Sequence, residues 1–112
     1  MEARLAPSLF VPALLRLAER EGGFGTVLAR GDPSAGTILI LLSERGRPVQ
    51  LLERVLQPNG SYAWEAALGA AHNAAEFDRF LEKRRRFDPD CWIVELDTAS
   101  GERFADEIGA LD

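Results

Sequence analysis

The chain has one cysteine, Cys91, one histidine, His72, and no run of apolar residues approaching the roughly 20 that span a bilayer. Each shortage excludes something. A single cysteine cannot form an internal disulfide, which fits a reducing compartment. A hydrolytic triad would have to use His72 with Ser61, Ser100 or Cys91, and no spacing places these together. A zinc site would need carboxylates for most of its ligands, so neither metal nor cofactor is expected. Net positive charge is also missing: the formal charge of -5 argues against a general affinity for nucleic acid. At the N-terminus, Arg4 and the stretch Leu9 to Leu15 have the look of a short signal peptide. Arg16, Glu19, Arg20 and Glu21 follow at helical spacing, where a small-residue cleavage site would be needed. A soluble, cytoplasmic protein is the expectation.

What is present reads as one domain over residues 1–112. The apolar fraction of 46% and charged fraction of 28% are close to globular averages, and no repeat, linker or low-complexity segment divides the chain. A chain of 112 residues buries roughly 65% of its unfolded surface, enough for one core.

From Val11 to Glu21, Val11, Leu14, Leu15, Leu17 and Ala18 recur at spacings of three and four, which predicts an amphipathic helix with Pro12 in its first turn and Gly22-Gly23 as its stop. Phe24 to Ala29 and Thr37 to Leu42 read as strands, and the turn chemistry of Arg30 to Gly36 between them predicts a hairpin. Glu44 to Pro48 turns the chain into a strand from Val49 to Leu56, with Val49, Leu51 and Glu53 sharing a face. Pro58-Asn59-Gly60 turns it again into Ser61 to Trp64. Ala66 to Ala71 is read as a connection. Asn73 with Glu76 predicts a capped second helix of about 12 residues carrying Phe77, Phe80, Leu81 and Arg84 on one stripe, ended by Asp88-Pro89. Cys91 to Leu96 is the last strand, and a weakly amphipathic tail with room for a short helix follows Ser100-Gly101. Ile38 to Leu42 and Cys91 to Val94 are apolar on successive residues, so both of their faces need cover and they belong at the sheet centre. The expected fold is α+β, about five mostly antiparallel strands with two main helices, in the order αββββαβ.

Several motifs suggest chemistry. Gly31 and Gly36 have the glycine spacing of a P-loop, but the lysine is absent and Thr37 opens a strand, not a helix. Arg30-Gly31-Asp32 also spells the integrin-binding tripeptide, for which three residues are very weak evidence. Lys83 to Arg86 is the densest basic run; cations are favourable at a helix C-terminus, and Glu82 stands where it can pair with Arg86. Asp88, Asp90, Glu95 and Asp97 suggest a carboxylate cluster, but alternation sends Asp90 to one strand face and Glu95 and Asp97 to the other. The bland reading has Asp88 and Asp90 capping or turning the chain and the other two in solvent. Cys91, beside Trp92 and Ile93, reads as an inert buried thiol.

The run Arg86-Phe87-Asp88-Pro89-Asp90-Cys91-Trp92-Ile93-Val94-Glu95 resembles the signature of small bacterial proteins known as domain of unknown function 1491. Arg30 to Gly36 resembles that family's other motif, in the expected order, and the Val11 to Arg16 helix matches too. Cys91 stands where a larger apolar residue is expected. The resemblance implies a small cytoplasmic bacterial protein and supplies no catalytic residues. The leading expectation is therefore a non-catalytic binding or protein-interaction module, self-association included. Its candidate surface is Arg30, Asp32, Arg86, Asp88, Asp90 and Trp92. One alternative is a small-molecule or phosphate-ligand enzyme in which Arg30 and Arg86 grip an anion and Asp32, Asp88 or Asp90 serves as base or metal ligand. The other is nucleic-acid binding through Lys83 to Arg86. No membrane partner is expected.

Overall fold

The computed structural model describes residues 6–69, 72–100, 104 and 108. Its elements run α1 (Pro7–Arg20), β1 (Phe24–Ala29), β2 (Ile38–Glu44), β3 (Arg47–Leu56), β4 (Tyr62–Leu68), α2 (Ala74–Phe87) and β5 (Trp92–Asp97), the expected αββββαβ order. The five strands form one sheet in the order β1-β5-β2-β3-β4, with β2 and β5 parallel and every other pair antiparallel. No helix among the described residues is long and apolar enough to cross a membrane.

α1 begins a turn earlier than the periodicity predicts. Pro7, whose missing N–H costs nothing in the first turn, takes that position, and Pro12 falls inside the helix on its exposed side. The helix stops at the glycines through a Schellman pair: Gly22, at φ 84°, donates to the Glu19 carbonyl at 3.1 Å and Gly23 to that of Ala18 at 2.9 Å.

The hairpin expected between β1 and β2 does not form. β5 lies between them, so Arg30 to Gly36 is an arch that steps over one strand position. Turn residues specify a reversal of direction, not the partner on the far side of it. β2 and β5, apolar on both faces, gain most from inner positions, while β1, which contains Gly25, goes to the edge. β4 extends to Leu68, past the expected end at Trp64, because Ala66 and Leu68 pair with Leu52 and Leu51 of β3. Alanine has too little strand preference to announce this locally. Ala70 and Ala71 lie outside the described residues.

The core has two halves. On one face Ile38, Ile40, Leu42, Trp92, Val94 and Leu96 pack under Phe10, Val11, Leu14, Leu17 and Ala18 of α1. Phe104 and Ile108, both helical, join that half; the rest of the tail lies outside the described residues. On the other face Leu39, Leu41, Leu51, Cys91 and Ile93 meet Phe77 and Leu81 of α2. α2 carries the predicted capping box, Asn73 accepting from Glu76 N at 2.9 Å and Glu76 accepting from Asn73 N at 3.1 Å. α1 packs beneath β1 and β5, whereas α2 has its main contact with β3, at the other side of the sheet. Among the described residues, that offset leaves one face of β1 uncovered.

Candidate functional site

The arch and the start of β5 are folded onto each other. Asp32 N donates to the Asp90 carbonyl at 3.0 Å, the Trp92 indole N–H donates to the Asp32 carbonyl at 2.8 Å, and Trp92 N donates to the Thr37 carbonyl at 2.8 Å. Glycine is needed where the chains touch: a Cβ on Gly31 would lie 2.6 Å from the Asp90 carbonyl carbon, and one on Gly36 would lie 3.0 Å from the Asp32 oxygen. Arg30 places its guanidinium 5.5 Å from the centre of the Trp92 ring, a cation–π contact.

The carboxylates of Asp32 and Asp88 are engaged with the backbone or with neighbouring hydroxyls, whereas Asp90 joins through its main-chain carbonyl. Asp32 Oδ1 accepts from Ser34 N at 2.8 Å, Ser34 Oγ at 2.9 Å and Ala35 N at 3.1 Å, and these bonds, Ser34 N foremost, hold its pKa below the ordinary value. Asp88 caps α2 through its own N–H to the Arg84 carbonyl at 2.8 Å, and its side chain accepts from the Thr37 hydroxyl at 3.2 Å. Cys91 is buried, and burial pushes its thiol pKa up against the lowering effect of bonds with Thr37 and Arg84. At neutral pH it is a thiol, the unreactive form. His72 sits apart, its Nδ1 3.2 Å from the Gly69 carbonyl and its ring edge-on to Phe77.

Glu95 and Asp97 are not in solvent as expected. Asp97 is 7% exposed and accepts from Arg45 N at 3.0 Å and Gly46 N at 2.7 Å, the two positive-φ residues of the β2–β3 turn. Two parallel backbone donors aimed at one carboxylate explain the burial. Glu95 accepts from the Ser43 hydroxyl at 2.7 Å. Among the described residues no group of three or more His, Cys, Asp or Glu side chains is placed to hold a metal.

Of the six candidate residues, Arg30, Asp32, Asp88, Asp90 and Trp92 thus meet at one junction. Arg86 does not join it. It pairs with Glu82 at 3.3 Å on the exposed face of α2, and it lines an open groove of about 730 Å³ between α2 and β1. The groove has Leu28, Leu81 and Ile93 as apolar lining and Asp78, Glu82, Arg85 and Arg86 as charged wall. Sequence reasoning missed Leu28 and Asp78, and singled out Arg85 only as part of the Lys83 to Arg86 run. The available signal was the alternation of Phe24, Thr26 and Leu28, a polar–apolar strand face that no helix stripe was assigned to cover.

The basic run is split by helical geometry. Arg84 turns inward to a bidentate pair with Glu53 at 2.6 and 3.2 Å, and Arg86 pairs with Glu82, leaving Lys83 and Arg85 without a carboxylate partner among the described residues. On the α1 side, Arg54 is 7% exposed among the rings of Phe10, Tyr62 and Trp64, at 5.0 to 5.7 Å from their centres. An arginine inside a strand pattern gives no sequence signal for such a cage.

Comparison with known proteins places this arrangement among others of its kind. A family model described as "Protein of unknown function (DUF1491)" matches residues 5–106. The crystal structure of a DUF1491 family protein from Caulobacter crescentus CB15 is 30% identical, with a TM-score of 0.80 over 90% of this chain and 94% of that one. The solution structure of protein Atu0922 from A. tumefaciens is 32% identical, with a TM-score of 0.74 over 88% and 89% of the two chains. An NMR structure of a DUF1491 family protein from C. crescentus CB15 gives 30% and 0.77 over 89% and 91%. No curated protein matches the sequence.

Proposed function

The chain belongs to the DUF1491 family of proteins of unknown function, and we propose that it is a non-catalytic interaction module whose working surface is the groove between β1 and α2. One observation carries the reading. The two motifs that stand out in the sequence are occupied with each other, through Asp32 N to Asp90 O and Trp92 Nε1 to Asp32 O, so their polar groups serve the fold. The groove, by contrast, combines an apolar lining with charges at its wall and lies beside a strand face that no described residue covers. The test is quantitative affinity capture with the wild type, a Leu28→Asp/Arg85→Glu variant and a control altered at exposed Arg16 on the opposite face. A partner retained by the control and lost by the groove variant is the expected result. Partners indifferent to the groove variant would refute the reading.

A second reading, the phosphate-ligand enzyme using Arg30 and Arg86 with Asp32, Asp88 or Asp90, has one observation in its favour: the Arg30 to Gly36 and Asp88 to Trp92 segments do meet, although Arg86 lies apart at the groove. Titration with inorganic phosphate, followed by amide shifts of residues 30–37, decides it; unmoved resonances at millimolar phosphate remove the reading. Nucleic-acid binding through Lys83 to Arg86 has less support, since two of its four cations are already paired.

A further inference from the structure

Resting on the reading that the β1–α2 side is an interaction surface, we infer that its occupant is a second copy of this chain, the two β1 strands joining edge to edge as an antiparallel two-fold pair. β1 is the outermost strand of the five, bonded only to β5. None of its N–H or C=O groups is bonded to a described residue on the outer side. Edge strands that stay unpaired usually carry charge or proline. Phe24-Gly25-Thr26-Val27-Leu28-Ala29 has neither, its one irregularity being the bulge at Leu28 between Val27 and Ala29, whereas β4, the opposite edge, carries exposed Glu65.

The strand is also complementary to itself. Phe24 is 57% exposed and Leu28 41% exposed, each two residues from Thr26. A two-fold axis at Thr26 sets threonine opposite threonine and brings Phe24 of one copy beside Leu28 of the other, twice, Leu28 being the bulged residue that the register with β5 skips between Val27 and Ala29. Aromatic–aliphatic and Thr–Thr pairs are favourable cross-strand neighbours.

The charges agree with this. α2 returns through a short turn into β5, and β5 is antiparallel to β1, so α2 and β1 run the same way. Along the groove α2 offers Asp78 and Glu82 first, then Arg85 and Arg86. A two-fold pair reverses one copy, so the acidic half of one wall lies at the same end of the joined sheet as the basic half of the other. An unrelated extended peptide would satisfy the same backbone edge but has no reason to match this charge order.

Sedimentation velocity over a micromolar to near-millimolar series tests the inference. Wild type is expected to dimerise, and Phe24→Lys and Leu28→Glu, both at exposed positions, are each expected to weaken the dimer at least tenfold while circular dichroism confirms folding. Mixing the two variants is expected to restore association, because the pair then has one Lys–Glu and one native Phe–Leu contact. A dimer indifferent to both variants, or no rescue on mixing, overturns the inference. A wild type monomeric throughout also overturns it; if capture still finds a groove-dependent partner, such as an extended peptide, the module reading survives, and if it finds none, both fall.

Discussion

Gly31→Ala isolates the contact between the arch and β5. Gly31 is not at positive φ, so backbone preference alone predicts that alanine stabilises the protein by about 0.4–1 kcal/mol. Sterics predict the reverse. The new Cβ would sit 2.6 Å from the Asp90 carbonyl carbon and 2.8 Å from that of Cys91, where ordinary carbon contacts are about 3.5–4 Å. The backbones must part by on the order of 1 Å, which stretches the Asp32 N to Asp90 O and Trp92 Nε1 to Asp32 O bonds beyond useful length. Overpacking of this kind costs about 1–3 kcal/mol and each lost bond about 1 kcal/mol, so a net loss of about 3 kcal/mol is expected after the entropic gain. At roughly 4 °C per kcal/mol for a domain of this size, Tm should fall by about 12 °C. Urea unfolding followed by tryptophan fluorescence measures it, with the m-value unchanged. Gly46→Ala and Gly60→Ala are the controls: both glycines have positive φ and open space, so each should lose only about 1–2 kcal/mol. A Gly31→Ala protein as stable as wild type, or more stable, refutes the packed junction.

The Glu53–Arg84 pair, about a quarter exposed on each side, should show a coupling of about 1–2 kcal/mol in a Glu53→Gln/Arg84→Met double-mutant cycle, and additivity would contradict its bidentate geometry. Asp32 has its pKa lowered by its turn bonds, so its contribution is present above the unfolded carboxylate value of about 3.9 and is lost as pH falls below it. Asp32→Asn should therefore flatten the acid limb of the stability profile, measured by urea midpoints between neutral and acidic pH. Cys91, buried with its thiol pKa raised, should resist a thiol reagent at pH 8 until the protein unfolds; labelling of the native protein as fast as free cysteine would place it at the surface.

Local signals carried the elements further than their pairing. The Asn73–Glu76 box, the glycines after α1 and the two-sided apolar runs of β2 and β5 each state their own conformation, because cap bonds, positive φ and face burial are properties of a few adjacent residues. The partner of β1 is not such a property. Phe24 to Ala29 reads the same whether it pairs with β2 or β5, and the Asp32-Pro33 turn serves a hairpin and an arch equally. The same limit applies to Asp97, whose burial depends on two N–H groups from a turn 51 and 52 residues away. It applies again to the groove, which exists only because α2 settles over β3 and leaves Leu28 uncovered.

Amide hydrogen exchange separates the working surface from the scaffold in one experiment, comparing dilute protein with protein concentrated or bound to a captured partner. Added protection confined to residues 24–29 of β1 and 78–86 of α2, with 30–37 and 88–92 unchanged, is the result expected of a module that works through its groove. Added protection at 30–37 and 88–92, with β1 unchanged, would move the function to the junction and contradict the account.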